Sequence, residues 1–187
     1  MTSLSAHSPR NLRSCKLVQA VIASTFVSSL SLVPSGASAQ VQSKGYNIPL
    51  SLAIEAALEG VRACEANGYK VSVAVVDTAG EMRAFVKGDH STVHTKTSSF
   101  RKAYTVATLG PVFGFDALGV FTEKVRTTPN ASALASLPDV ILLAGGVAIK
   151  ARGEIVAAIG VGGAPGGDKD EVCAQAGLAK IKDRLPN

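Results

Sequence analysis

Val71-Ser72-Val73-Ala74-Val75-Val76-Asp77-Thr78-Ala79-Gly80-Glu81-Met82-Arg83-Ala84-Phe85-Val86 is the stretch that decides the fold. The apolar, β-branched run from Val71 to Val76 reads as a strand. Asp77-Thr78-Ala79-Gly80 reads as a turn, because an aspartate side chain bonds the backbone two residues on and glycine adopts positive φ at little cost. Met82 to Val86 is then the return strand. Two strands joined by so short a turn pair antiparallel, which argues against a sheet built from repeated parallel βαβ units.

Outward from the hairpin the pattern changes to helical spacing. Before it, Ala53, Ile54, Ala57, Leu58, Val61 and Cys64 recur on one helical stripe. Asn47 is a candidate cap ahead of Pro49, and Gly68 closes the helix. After it, a polar loop from Lys87 to Thr92 leads to a helix expected over 93–109 and ended by Gly110-Pro111. A shorter helix is expected over 116–125 and a loop over 127–130. Three strands follow, at 140–144, 147–150 and 154–161, the last two turning at Ala151-Arg152-Gly153. A glycine-rich loop from Gly162 to Gly167 delivers the chain to a final helix over 168–182. The order α-β-β-α-α-β-β-β-α predicts an α+β domain with an antiparallel sheet and helices packed on it.

The first 39 residues read differently from the rest. Arg10, Arg13 and Lys16 precede an uncharged apolar stretch from Leu17 to Val33, and Ala37-Ser38-Ala39 forms a small-residue cleavage site before Gln40. That order is the pattern of an export signal, and the stretch is short and serine-diluted for a membrane span. The organisation expected is therefore a signal peptide at 1–39, a flexible arm at 40–47 and a domain at 48–187, located in the periplasm or secreted, with no membrane span after cleavage. The whole chain carries 19 Lys+Arg against 14 Asp+Glu. Three of the basic residues leave with the signal, so the remaining balance is only +2. No basic stripe with interleaved aromatics remains, and nothing points to nucleic acid. Cys64 and Cys173 survive cleavage. An oxidising compartment permits them to pair, provided two helices lie side by side, and two small buried side chains are the alternative.

Candidate sites fall in two places. On the helix over 93–109, one face carries His94, Ser98, Arg101, Lys102 and Thr105, while Phe100, Ala103, Tyr104 and Ala107 form an opposite, core-facing stripe. A histidine with two cations can ligate a metal or haem iron at His94 and pair carboxylates through Arg101 and Lys102. A solvated helix face explains the same pattern. His90 is a second possible ligand. The other place is the glycine-rich region, where Gly145, Gly146, Gly163 and Asp168 outline a small-ligand pocket. Backbone amides there can hold a carboxylate, with Lys102 or Arg83 as counter-charge. The loop does not open a βαβ unit, so it is no dinucleotide fingerprint. No G-x-S-x-G, HExxH or CxxC occurs. No catalytic residue is assigned, and whether the chain is an enzyme is left open.

Taken together, Ala53-Ile54-Glu55-Ala56-Ala57 leading to Cys64, Val73-Ala74-Val75-Val76-Asp77 with Gly80, Ser99 with Lys102-Ala103-Tyr104-Thr105, Leu143-Ala144-Gly145-Gly146, Gly160-Val161-Gly162-Gly163-Ala164, and Asp168 with Cys173-Ala174 resemble, in order, the small GlcG/HbpS-type haem-binding (also called haem-degrading) domain. The resemblance covers about residues 48–185. It implies a profilin-like fold, a five-stranded antiparallel sheet with helices on both faces, and assembly into homo-oligomers. For function it implies an exported haem-binding protein acting in haem sensing, sequestration or degradation, in some relatives beside a sensor protein. Many relatives carry another side chain where His94 lies. The alternative, read from the residues, is an enzyme or binding protein for a small organic acid.

Overall fold

The computed structural model describes residues 45–186. The predicted signal peptide and most of the predicted arm lie outside these residues. Helix α1 spans Leu50–Glu65, strand β1 Ser72–Asp77, β2 Met82–Lys87, α2 His94–Phe113, α3 Leu118–Val125, α4 Ala131–Ala135, β3 Gly146–Ala151, β4 Glu154–Gly162 and α5 Gly167–Ile181, followed by a 3-10 turn at Lys182–Arg184. The strands form one antiparallel sheet in the order β2-β1-β4-β3. The predicted hairpin is β1–β2, and its turn forms as expected. Asp77 Oδ1 accepts hydrogen bonds from Ala79 N at 2.9 Å and Glu81 N at 3.1 Å, and Gly80 takes φ +81°.

The sheet is sandwiched. Alternate residues of each strand point to opposite faces. Val73 and Val75 of β1 join Ile159 and Val161 of β4 and Ile149 of β3 beneath α1 and α5. Val76, Ala148 and Ala158 point the other way, toward Ala103, Val106 and Ala107 of α2 and Leu118 and Phe121 of α3. The buried side of α1 is Leu52, Ala53, Ala56, Ala57, Val61 and Cys64, rotated from the predicted stripe, and Ile54 and Leu58 are exposed. Small residues predominate on that side because α5 lies directly against it: a Cβ at Gly177 of α5 would come 2.5 Å from the carbonyl oxygen of Ala56. The two helices are bonded there by a Cys64–Cys173 disulfide with Cα atoms 5.5 Å apart. Of the two readings of these cysteines, the pairing is the one the structure takes.

Two expectations are corrected. Among the described residues the sheet has four strands, not five, because the apolar run over 140–144 is not a strand. Its backbone is satisfied by side chains of α2 instead: Ile141 N donates to Thr105 Oγ1 at 2.9 Å, and Arg101 Nη2 donates to the carbonyl of Val140. The run is apolar because Val140 is buried and Ile141 and Leu142 pack on the α2 core cluster. Helix α2 also continues through Pro111 to Phe113 before Gly114, at φ +67°, stops it.

The glycines of β4 position α2. Gly160 and Gly162 pair with Ala74 and Ser72 of β1 and face the helix. A Cβ at Gly160 would sit 2.5 Å from Ala103 N and collide with the carbonyl of Ser99. Helix backbone therefore lies almost on strand backbone. Buried hydroxyls bind the start of the helix to the sheet, with Ser72 Oγ 2.7 Å from Thr95 Oγ1 and 3.2 Å from Ser91 Oγ.

Candidate functional site: a buried ion pair under a glycine-lined pocket

A pocket of about 280 Å³ opens beside the N-terminal half of α2. It is lined by His94, Ser98 and Lys102 of α2, Leu143, the loop residues Gly163, Ala164 and Gly166, and Gly167 and Asp170 of α5. Lys102 lies at its floor. The residue is 1% exposed, and its Nζ donates to Asp170 Oδ2 at 2.6 Å. Asp170 Oδ1 accepts the amide of Ala164 at 2.9 Å. Burial raises the Asp170 pKa above its ordinary value of 3.8, and the Lys102 charge and the hydrogen bonds to the carboxylate only partly oppose that rise.

Neighbouring segments are shaped around this pair. Gly145 has φ +123°, and a Cβ there would fall 2.7 Å from Lys102 Nζ and 2.8 Å from Asp170 Cβ. A Cβ at Gly146 would fall 2.7 Å from the Lys102 carbonyl oxygen. Glu171 draws three segments together: its Oε2 accepts the amides of Gly119 at 2.8 Å and Gly145 at 3.0 Å.

His94 stands exposed at the pocket rim, with Nδ1 3.0 Å from Thr92 Oγ1. With the proton on Nδ1 donated to that hydroxyl, Nε2 offers its lone pair outward, the arrangement in which a second partner orients a ligating histidine. His90 is exposed, takes φ +63°, and does not line the pocket. Among the described residues no group of three or more His, Cys, Asp or Glu side chains is placed to hold a metal ion.

The sequence-predicted residues separate. His94, Lys102 and Gly163 line the pocket, and Gly145 and Gly146 pack behind Lys102. Arg101 turns away to Val140, with its Nε buried and without a hydrogen-bond partner in the structure, so it does not share a carboxylate with Lys102. Asp168 is exposed and outside the lining, and Arg83 is exposed on the edge strand β2. The solvated-face reading of α2 also fails for Lys102 and Thr105, both buried. Sequence reasoning missed Asp170 and Glu171. The available signal was the stripe Ser99, Lys102, Ala103, Val106 and Gly110: its small and apolar members mark a buried side, and a lysine inside it demands a buried acid.

A larger cavity, about 540 Å³, lies by the C-terminal end of α2, among Pro111, Phe115, Asp116, Lys150 and Glu154. Its Asp116–Lys150 ion pair, at 3.0 Å, is solvent-exposed. The smaller pocket is the better candidate because its charges are buried and its backbone is built around them.

The family model of the haem-degrading, HbpS-like proteins matches residues 48–179. The chain belongs to the HbpS-like family. A crystal structure of HbpS is 35% identical, with a TM-score of 0.66 over 74% of this chain and 92% of that one. A double mutant of HbpS from Streptomyces reticuli is also 35% identical, with a TM-score of 0.65 over 76% and 97%. A PduOC–haem complex, 18% identical with a TM-score of 0.64 over 73% and 96%, shares the fold. No curated protein sequence is a significant match. Membership in the HbpS-like family agrees with an antiparallel α+β sandwich. No described helix is long and apolar enough to cross a membrane.

Proposed function

We propose that the protein is an exported haem-binding protein in which His94 ligates the iron. The observation that carries this reading is the HbpS-like match over 48–179, which includes an exposed imidazole held at Nδ1 by Thr92. The donor suits haem iron. The enclosure does not: about 280 Å³ falls below the roughly 300–1,000 Å³ of pockets that enclose drug-sized ligands, and among the described residues Leu143 is the only large apolar side chain in the lining. A haem held by His94 would therefore not be enclosed by the pocket of one chain. Val93, 88% exposed, would supply apolar surface beside the group. Arg101 has no part in holding the group.

Export is supported by the Arg10-to-Ala39 signal pattern and by the Cys64–Cys173 bond, which suits an oxidising compartment such as the periplasm or the extracellular space. Haemin titration followed at the Soret band tests the function. A saturable red shift in the wild type that is lost or altered in His94→Ala is expected. An identical spectrum in the variant removes His94 as ligand, and no shift in the wild type removes the haem reading. Cell fractionation of a tagged full chain tests export.

A further inference from the structure

The haem reading leaves the buried lysine unused. Lys102 carries three ammonium protons. Among the described residues, Asp170 Oδ2 is the acceptor that the structure places on it. Apolar residues in place of such a buried pair are often neutral or stabilising, so fold stability does not by itself explain a charged pair at a pocket floor. Nor is the pair an accident of packing. Gly145 adopts a conformation unfavourable to other residues, and it does so where any side chain would strike Lys102 Nζ. The space above the pair, about 280 Å³, equals that of on the order of nine waters. That suffices for a small organic molecule or for one arm of a larger one.

We propose that this pocket binds a carboxylate group on the Lys102 ammonium, with Asp170 as the internal competitor that sets its affinity. Asp170 holds the ammonium in place through Oδ2 and is itself held through Oδ1 by Ala164. The ligand's carboxylate approaches from the pocket side and takes the protons Asp170 leaves free. Two carboxylates then share one cation, so the native affinity is modest, and loss of the Asp170 charge strengthens it. Among the described residues the other ionisable side chain lining the pocket is His94, at the rim. A carboxylate reaches this site from one of two sources: a free small carboxylic acid, or a single acidic arm of a porphyrin whose ring stays outside. The inference does not rest on iron ligation by His94.

The test is calorimetric titration of the full chain with propionate, together with binding of haemin and of its dimethyl ester. Propionate binds the wild type and binds Asp170→Asn about tenfold more tightly, the low end of what one nearby charge does to a carboxylate equilibrium. Lys102→Met/Asp170→Asn retains cooperative unfolding and loses propionate. Unchanged propionate affinity in this double variant overturns the proposal, as does an absence of binding to both wild type and Asp170→Asn. Should Asp170→Asn, which leaves the buried ammonium unpaired, fail to fold, the double variant decides alone: unchanged propionate affinity there means that the pair is only structural. When propionate binds, equal affinity for haemin and its ester assigns the pocket to free acids, and a tenfold or greater loss with the ester assigns it to the porphyrin arm. A Soret band indifferent to His94→Ala would sink the iron ligand and leave the propionate result standing.

Discussion

Consider removal of the bond between α1 and α5. Cys64 and Cys173 are 109 residues apart in sequence. Closing a loop of that length takes about 16 cal/mol/K from the unfolded chain, or about 4.8 kcal/mol at 25 °C. At about 3 °C of melting temperature per kcal/mol for a domain of this size, Cys64→Ala/Cys173→Ala should melt about 15 °C below the oxidised protein. Both cysteines are buried, at 0% and 2% exposure, so the alanines also leave small voids. Wild-type protein reduced with dithiothreitol keeps both sulfurs and loses only the bond. Thermal and urea unfolding of all three forms therefore separates loop closure from packing. The reasoning requires most of the loss to appear on reduction alone. A reduced protein within about 1 kcal/mol of the oxidised one would refute it, because the loop-closure contribution would then be missing. Amide exchange adds a spatial check. Cys173 lies one turn beyond Asp170, so protection should fall first along α1 and α5.

Three further outcomes are expected. Gly160→Ala forces a methyl into the backbone of α2 and should cost about 3 kcal/mol or more in urea unfolding. Glu171→Gln weakens two amide hydrogen bonds to a carboxylate, from Gly119 and Gly145, and should cost about 1–2 kcal/mol by the same assay. Because the Asp170 pKa is raised on folding, the folded state binds more protons than the unfolded state from 3.8 upward to the raised value. The Asp170 contribution to stability therefore falls as pH rises through that window. The falling component should vanish from pH-dependent urea midpoints in Lys102→Met/Asp170→Asn, and an unchanged profile would contradict it.

Much of the architecture was legible in local chemistry. The 71–86 hairpin carries its own turn residues and β-branched strand, and β3–β4 likewise turns at Arg152-Gly153, so neither needs distant information. The run at 140–144 misled for a physical reason. An apolar pentapeptide tells that a segment is buried, but not whether its backbone bonds to a strand or to Thr105 and Arg101 on a helix. Cys64 and Cys173 posed the same difficulty, because only the packing of α1 on α5 brings them together. At the site, His94 and Lys102 were visible as residue types that do chemistry. Their separation, one at the rim and one at the floor, was not, since it depends on how deeply α2 sinks into the sheet. Asp170 and Lys102 are 68 residues apart, and no local pattern pairs them.

The contact of α2 with β4 at Gly160 and Gly162 also limits how this pocket can change. A helix cushioned by side chains can slide or tilt when its neighbours are repacked. This one rests backbone on backbone, so Ser98 and Lys102 are held as rigidly as the strands beneath them. Diversification of ligand preference is thereby pushed onto the two connecting segments in the wall, around Leu143 and from Gly163 to Gly166. Selection for a new guest would be expected to rewrite those loops while the helix keeps its place, and an engineered specificity library should be confined to them.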